Sequence, residues 1–499
     1  MDLWPPRAAE VVERDGLRVY PEQPETLGEM IERAVERHAS APAAAEVGGR
    51  TLAYEQLWEE SEQVAGALQQ RFGVGPGDRV AFVAANCVDL LVGLIGTWRV
   101  GGVAVTLNTK YTRPELEKQL SQCSPRVVLV EPEWLEKISE NSNAHVLSDV
   151  RNSGGRLEPV QARAEDPALL MFTSGTTGRS KGVLQSHLNL VSAAETYVRC
   201  LDLGPEETTV VAAPMFHATG LNGQSLPVLA TGGSVAIMRR FDAEALADLL
   251  ASGQASFFHA APTIYALTTE AAGDLRARDL RVCVSGGSFV SRALVDRVRA
   301  FAPAVDFRIS YGMTETSSPA VLTPPGWIDD RPGDAVGIAV PVDEVRVDDQ
   351  GEIQFRGATV IPAYDSAEAN EGAFVDGWLR SGDLGKIDRD GFVTVLDRIT
   401  DMINRGAEKI SSLEVEDALC AHPAVAEAAV VGKPDDVYGE LPRAIVVLDA
   451  DAETSETELQ EFAAERIARF KVPAEITFTD ELLIGAYLGA RRGRDASSQ

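Results

Sequence analysis

Between Thr173 and Lys181 the chain reads Thr-Ser-Gly-Thr-Thr-Gly-Arg-Ser-Lys, a run whose residue types suit the grip of a polyphosphate. Gly175 and Gly178 let the backbone turn tightly and bring its N–H groups close to a ligand. The hydroxyls of Thr173, Ser174, Thr176 and Thr177 add donors, and Lys181 adds a point charge. The apolar run Leu169-Leu-Met-Phe172 ahead of the loop is the length of one buried strand. This is not a Walker A loop. That motif places Gly directly before the Lys and Ser or Thr directly after it, whereas Ser180 precedes Lys181 here and Gly182 follows.

The string TSGTTGRSKGV resembles the phosphate loop of the adenylate-forming superfamily, which includes acyl-CoA synthetases, firefly luciferase and the adenylation domains of peptide synthetases. Further motifs follow in the expected order, so the resemblance covers nearly the whole chain. Ala213-Pro-Met-Phe216-His217 resembles the segment whose aromatic and histidine line the acyl channel. Ser285-Gly286-Gly287-Ser288 closes an apolar strand, and two glycines there allow a flat ring to approach the backbone; the resemblance assigns it to adenine. Ser310-Tyr311-Gly312-Met-Thr314-Glu315 resembles the motif in which Tyr stacks on adenine, Thr contacts phosphate and Glu holds Mg²⁺. Such an ion shares hard oxygen ligands between one or two carboxylates and substrate phosphates.

In the same family, Trp378-Leu-Arg-Ser-Gly-Asp383 corresponds to the ribose motif, with Asp383 accepting from vicinal hydroxyls. Asp397-Arg398 opens the junction about which a small domain pivots, and Arg398 would contact the ribose or α-phosphate. Gly406-Ala-Glu408-Lys409 is similar to the loop that faces the site in the second half-reaction. The resemblance implies an ATP- and Mg²⁺-dependent ligase. It would activate a small or medium carboxylate as acyl-AMP and pass it to CoA.

Several positions depart from that pattern. The family's last motif carries a lysine that bridges the attacking carboxylate and the α-phosphate; the matching position is Gly489, or Ala490 with one insertion, and no lysine follows Lys471. The neighbouring arginines offer a planar fork in place of a flexible ammonium. Ser310 stands where a glycine is usual, which narrows the acyl pocket beside Phe216 and His217. Thr400, Ala407 and Ser412 replace common hinge and loop residues. These departures motivate two alternatives: adenylation of nitrite with transfer to an aryl amine, and a non-catalytic ATP or acyl-adenylate binding protein.

The elements that must position these residues alternate between apolar strands and amphipathic helices over most of the chain, which predicts parallel α/β sheets covered on both faces. Helices are expected from Thr26 and Tyr54, and strands at Arg79, Gly102, Val127, Thr209, Ser234 and Ala255. Residues 140–165 read as an irregular surface connection. From about residue 335, short strands between Gly and Asp turns predict a small β-barrel. After Arg398 comes a mobile α+β module whose last helix would run from Glu456 to Phe470, with Ser455 and Glu458 as capping box. The expected division is a large domain over 1–397, a hinge at 398–401 and a small lid domain over 402–499.

Composition narrows the classes further. With 46 basic against 75 acidic side chains the formal charge is -29, which argues against nucleic acid as a partner. Five scattered cysteines suit a reducing cytoplasm. The start lacks the basic and apolar regions of a signal peptide. The apolar stretch Val88 to Leu107 is broken by Asp89, Arg99 and glycines, so it reads as a buried helix running into a strand and not a membrane span.

Overall fold

The computed structural model describes residues 3–139, 142–173, 180–399, 402–405, 408–435, 438–449 and 452–479. Leu27, Met30, Ile31 and Ala34 recur at helical spacing and are the buried stripe of the helix Leu27–His38. Thr26 starts it by accepting a hydrogen bond from the Glu29 amide. The helix Tyr54–Phe72 follows, and Val88–Arg99 runs into the strand Val103–Thr106 as its interrupted apolar pattern requires.

Among the described residues two sheets dominate. A six-stranded sheet has the order Lys181–Ser186, Pro167–Thr173, Val103–Thr106, Arg79–Val83, Val127–Val130, Ala144–Val146. Its first pair is antiparallel and the rest are parallel. The second sheet has nine strands, and its parallel heart runs Asp306–Tyr311, Val282–Gly286, Phe257–Ala260, Thr208–Val211, Ser234–Ile237, Pro42–Glu46. Apolar clusters cover both faces of this sheet: Phe257, Val282 and Val284 pack on one side, and Phe258, Cys283 and Phe307 on the other. Parallel strands buried on two faces explain the near-continuous apolar runs.

Two readings need correction. Residues 144–153 are not irregular. Ala144–Val146 is the parallel edge strand of the six-stranded sheet, and the helix Leu147–Ser153 buries Leu147 and Val150. Both are too short to show a period. The last helix stops at Ala464 and not at Phe470, with a separate 3₁₀ turn at Arg469–Lys471; Ser455 caps its start as expected. In the region read as a barrel, Asp343–Val347, Glu352–Gly357, Trp378–Ile387 and Phe374–Val375 form a sheet in that order, with Val393–Arg398 also on Trp378–Ile387. Ile338–Ala339 joins the edge of the nine-stranded sheet.

The chain divides into two compact units. One holds the chain up to Val345 together with Phe355–Leu379; the other holds Arg346–Gln354 together with the chain from Arg380. In the second unit the long hairpin Val425–Asp435 and Gly439–Leu448 is joined by Glu475–Phe478 and covered by helices Ser412–Cys420 and Glu456–Ala464. No helix among the described residues is long and apolar enough to cross a membrane.

Two predictions follow from this packing. A Cβ on Gly66, inside Tyr54–Phe72, would lie 2.3 Å from the Gly155 carbonyl carbon. Alanine usually stabilises a helix interior by about 0.5–1 kcal/mol over glycine. Gly66→Ala should instead destabilise by about 1–3 kcal/mol through overpacking, seen as a lower urea midpoint; a higher midpoint contradicts the contact. The second concerns His187, whose buried Nδ1 accepts from the Leu27 amide and whose pKa burial pushes down to about 4. The unfolded imidazole takes a proton near pH 6.5 while the native one stays neutral, so stability present above 6.5 is lost as pH falls toward 4. Between pH 7 and 5 His187→Gln should lose about 2 kcal/mol less than the parent chain; equal losses would refute the assignment.

Candidate functional site

One face of the strand Lys181–Ser186 organises the first unit's candidates. Side chains alternate along a strand, so Lys181, Val183 and Gln185 share a side. Lys181 stands opposite Thr173 in the antiparallel pair, which fixes both ends of the phosphate-loop segment. Its Nζ lies 5.2 Å from the centre of the Tyr364 ring, a cation–π contact. Val183 bridges Tyr364 through the backbone and packs in the same small apolar cluster. Gln185 is fully buried and donates to the Thr314 carbonyl at 2.6 Å, while Asn222 donates to Gln185 Oε1 at 3.2 Å.

Thr314 and Glu315 lie in the short 3₁₀ turn Thr314–Thr316 just beyond Tyr311. Glu315 is buried, its carboxylate accepts the Tyr364 hydroxyl at 2.8 Å, and its carbonyl accepts the Ile361 amide at 2.9 Å. Burial and the Glu315 charge together raise the Tyr364 pKa, so the phenol keeps its proton and acts as a donor. Lys181, Thr314 and Glu315 are therefore brought together by Tyr364 and Gln185, neither of which the sequence reading singled out. The alternation Lys-x-Val-x-Gln was the available signal for Gln185. Tyr364 carried none, because its partners come from distant segments.

A single buried carboxylate with a fixed orientation fits Mg²⁺ held mainly by substrate phosphates, which asks the protein for one or two carboxylates. No cluster of three or more His, Cys, Asp or Glu side chains with metal-binding geometry occurs among the described residues.

The other candidates of this unit lie at the carboxyl ends of the parallel strands, where open α/β sheets bind ligands. Gly286 pairs with Ser310, and a Cβ on Gly286 would lie 2.4 Å from the Ser310 carbonyl oxygen. Gly287 has φ +88° with open space above it, and Ser288 is exposed. Tyr311 ends the adjacent strand with its ring 5.7 Å from Phe355. A Cβ on Gly312 would lie 1.9 Å from the Ser318 carbonyl oxygen, so only glycine fits.

The Phe216 and His217 rings meet at a tilt, 4.6 Å between centres, in the loop after Thr208–Val211. Asn86 clamps that loop, donating to the Ala213 carbonyl at 2.9 Å and accepting from the Met215 amide at 2.8 Å; this residue too was missed. His217 reaches solvent by area, yet desolvation by the protein around it, with the Lys110 charge, lowers its pKa. Both hold for a side chain on the wall of a cleft, and the imidazole is neutral at neutral pH.

In the second unit Asp383 stands opposite Arg398 in the antiparallel pair, with Oδ1 3.6 Å from Arg398 Nε. The buried Asp397 accepts the Arg398 amide at 2.7 Å and the Ser412 amide at 2.6 Å. Serine at 412 thus supplies an N–H that a proline there would lack. Ser174, Gly175, Thr176, Thr177, Gly178, Thr400, Gly406, Ala407, Gly489 and Ala490 lie outside the described residues. Of Glu408 and Lys409 only the backbone, in the strand Glu408–Ile410, is described.

Comparison with known proteins gives matches along both units. Residues 31–364 match the AMP-binding enzyme family and 414–484 the AMP-binding enzyme C-terminal domain. A 2-succinylbenzoate–CoA ligase of Bacillus licheniformis is 34% identical over 451 residues, 87% of this chain and 92% of the relative. A feruloyl-CoA synthase of Amycolatopsis sp. is 33% identical over 470 residues, 90% of this chain and 94% of the relative. The o-succinylbenzoate CoA synthetase of Bacillus subtilis, solved with its acyl-adenylate intermediate, superposes with a TM-score of 0.84 at 27% identity, covering 94% of this chain and 98% of that one.

The link between Tyr364 and Glu315 is testable by binding. Tyr364→Phe keeps the ring beneath Lys181 and removes the hydroxyl. Affinity for Mg²⁺·ATP, measured by titration calorimetry, should fall about tenfold, the scale of one hydrogen bond to a charged group. ATP in excess EDTA should bind the variant and the parent alike. Equal losses with and without Mg²⁺ would show that the hydroxyl serves the fold and not the carboxylate.

Proposed function

Because the chain belongs to the AMP-binding enzyme family, we propose that its ligase activity joins a small or medium carboxylic acid to coenzyme A through an acyl-AMP. The chain is an AMP-forming ligase. The observation that carries the residue assignment is the grouping of Lys181, Thr314 and Glu315 around Tyr364. In the first step a carboxylate oxygen attacks the α-phosphorus of ATP, the bond to the bridging oxygen breaks, and pyrophosphate leaves. In the second the CoA sulfur attacks the acyl carbon and AMP leaves. Both reactants of the first step are anionic, so orientation and positive charge make up most of the catalysis.

Lys181 provides charge at the phosphates, with Thr173, Ser174, Gly175, Thr176, Thr177 and Gly178 as the surrounding cradle. Thr314 adds a hydroxyl, and Glu315 would hold Mg²⁺, which neutralises phosphate charge when bound. Gly286, Gly287, Ser288, Tyr311 and Gly312 form the adenine seat, and Asp383 with Arg398 reads the ribose. Phe216, His217 and Ser310 line the acyl side. The neutral His217 can meet an acid without forming a fixed ion pair. A large domain over 1–397, a pivot at 398–401 and a lid over 402–499 would bring Gly406, Glu408 and Lys409 to the site for the second step. Five free thiols, four of them buried, suit a cytoplasmic enzyme.

The position that in relatives carries the bridging lysine is Gly489 or Ala490 here. Losing one such stabiliser costs on the order of 10²–10³ in rate. Gly489→Lys or Ala490→Lys should therefore raise acid-dependent pyrophosphate release by about that factor, and addition of CoA should convert acyl-AMP to thioester. AMP release that needs nitrite and an amine, and is indifferent to CoA, would overturn the acceptor assigned above.

A further inference from the structure

A buried polar cluster lies behind Ser310, and the two steps above make no use of it. Tyr197, fully buried in the helix His187–Cys200, places its hydroxyl 3.2 Å from Ser310 Oγ and 3.0 Å from Ser318 Oγ. The His259 ring, from the strand Phe257–Ala260, lies 5.5 Å from the Tyr197 ring. Its Nδ1 is 3.1 Å from the Gly223 carbonyl oxygen. Gly223 belongs to a π-helical turn, Leu221–Ser225, a distortion often found at functional sites. A Cβ there would lie 2.6 Å from His259 Nδ1 and 3.0 Å from Ser318 Oγ, so the glycine is what lets these groups meet.

Hydrogen-bond accounting shows what this cluster lacks. Three hydroxyls carry three protons, and two of these fill the two bonds among Tyr197, Ser310 and Ser318. One proton remains to donate. A carbonyl only accepts, so His259 Nδ1 carries the hydrogen and Nε2 is an acceptor; it has no hydrogen-bond partner among the described residues, although His259 is 2% exposed. The Nε2 itself is not sealed from water, so this acceptor faces open space instead of packed protein. The cluster therefore offers one donor and one acceptor, both neutral. A second carboxylate or an ammonium would be buried there without a counter-charge, which is costly. A hydroxyl matches both groups at once.

We infer that the acid activated by this ligase carries a hydroxyl group, bound between the Tyr197–Ser310–Ser318 hydroxyls and His259 Nε2. This rests on the adenylate-forming reading, because that reading puts Ser310 on the acyl side. The unpaired donor and acceptor would penalise an otherwise equal acid without the hydroxyl, since a site built for a hydroxyl rejects its isostere strongly.

The test uses non-reacting acyl-sulfamoyl adenosines on the full chain, so the missing lysine does not enter. Matched pairs differ only in the hydroxyl: 3-hydroxypropanoyl against propanoyl, and 4-hydroxybenzoyl against benzoyl, with adenosine sulfamate lacking any acyl group as reference. In at least one pair the hydroxyl member should bind tenfold tighter or more by calorimetry, and His259→Leu, which removes the Nε2 acceptor, should bring that ratio to within about twofold while leaving adenosine sulfamate affinity unchanged. Equal affinities in both pairs, or a ratio that survives His259→Leu, would overturn the inference while the reference still binds. Failure of adenosine sulfamate itself to bind would instead overturn the adenylate reading, and this inference with it.

Discussion

A buried carboxylate has to be directed by its surroundings, and in this chain Tyr364 directs it. The phenol hydroxyl orients Glu315 without contributing charge, and the same ring lies under the Lys181 ammonium. The donor at this position is neutral, so it orients the carboxylate without itself neutralising it. The strand that starts at Lys181 then decides everything nearby by its two-residue period: Val183 seats Tyr364, and Gln185 holds the Thr314 carbonyl. One strand face thus sets the place of the Lys181 ammonium, the seat of Tyr364 and the turn that carries Glu315.

The same logic explains the glycines and small residues around the site. Gly312 and Gly286 are dictated by backbone oxygens within a Cβ's reach, while Gly287 answers to a left-handed φ beside open space. Gly223 is set by side chains, making room for His259 and Ser318. In the second unit Asp397 serves as both strand end and helix anchor, gripping the amides of Arg398 and Ser412. The change to serine at 412 adds a tie at the start of Ser412–Cys420.

Much of this was legible in the sequence where the signal was local. The strands Arg79–Val83 and Val127–Val130 and the capped helices at Leu27 and Glu456 are each written in a few consecutive residues. What escaped were features made by distant segments or by elements shorter than their own period. Tyr364 looks like an ordinary loop tyrosine until the fold sets it between Lys181 and Glu315. Ala144–Val146 is three residues long and reads as a strand only because Val127–Val130 is beside it. The Glu456 helix was read too long because Arg469-Phe-Lys continues its apolar and charged pattern after the hydrogen bonds have ended at Ala464.

The central claim is that an acid oxygen attacks the α-phosphorus of ATP in the site built by Lys181, Thr314 and Glu315. Isotope transfer tests it most directly. A carboxylic acid labelled with ¹⁸O in both oxygens is incubated with the chain, ATP, Mg²⁺ and CoA, and the nucleotide products are weighed by mass spectrometry. The account predicts one ¹⁸O atom in AMP and none in pyrophosphate. Label in inorganic phosphate with ADP as the nucleotide, or unlabelled AMP alongside thioester, would contradict it.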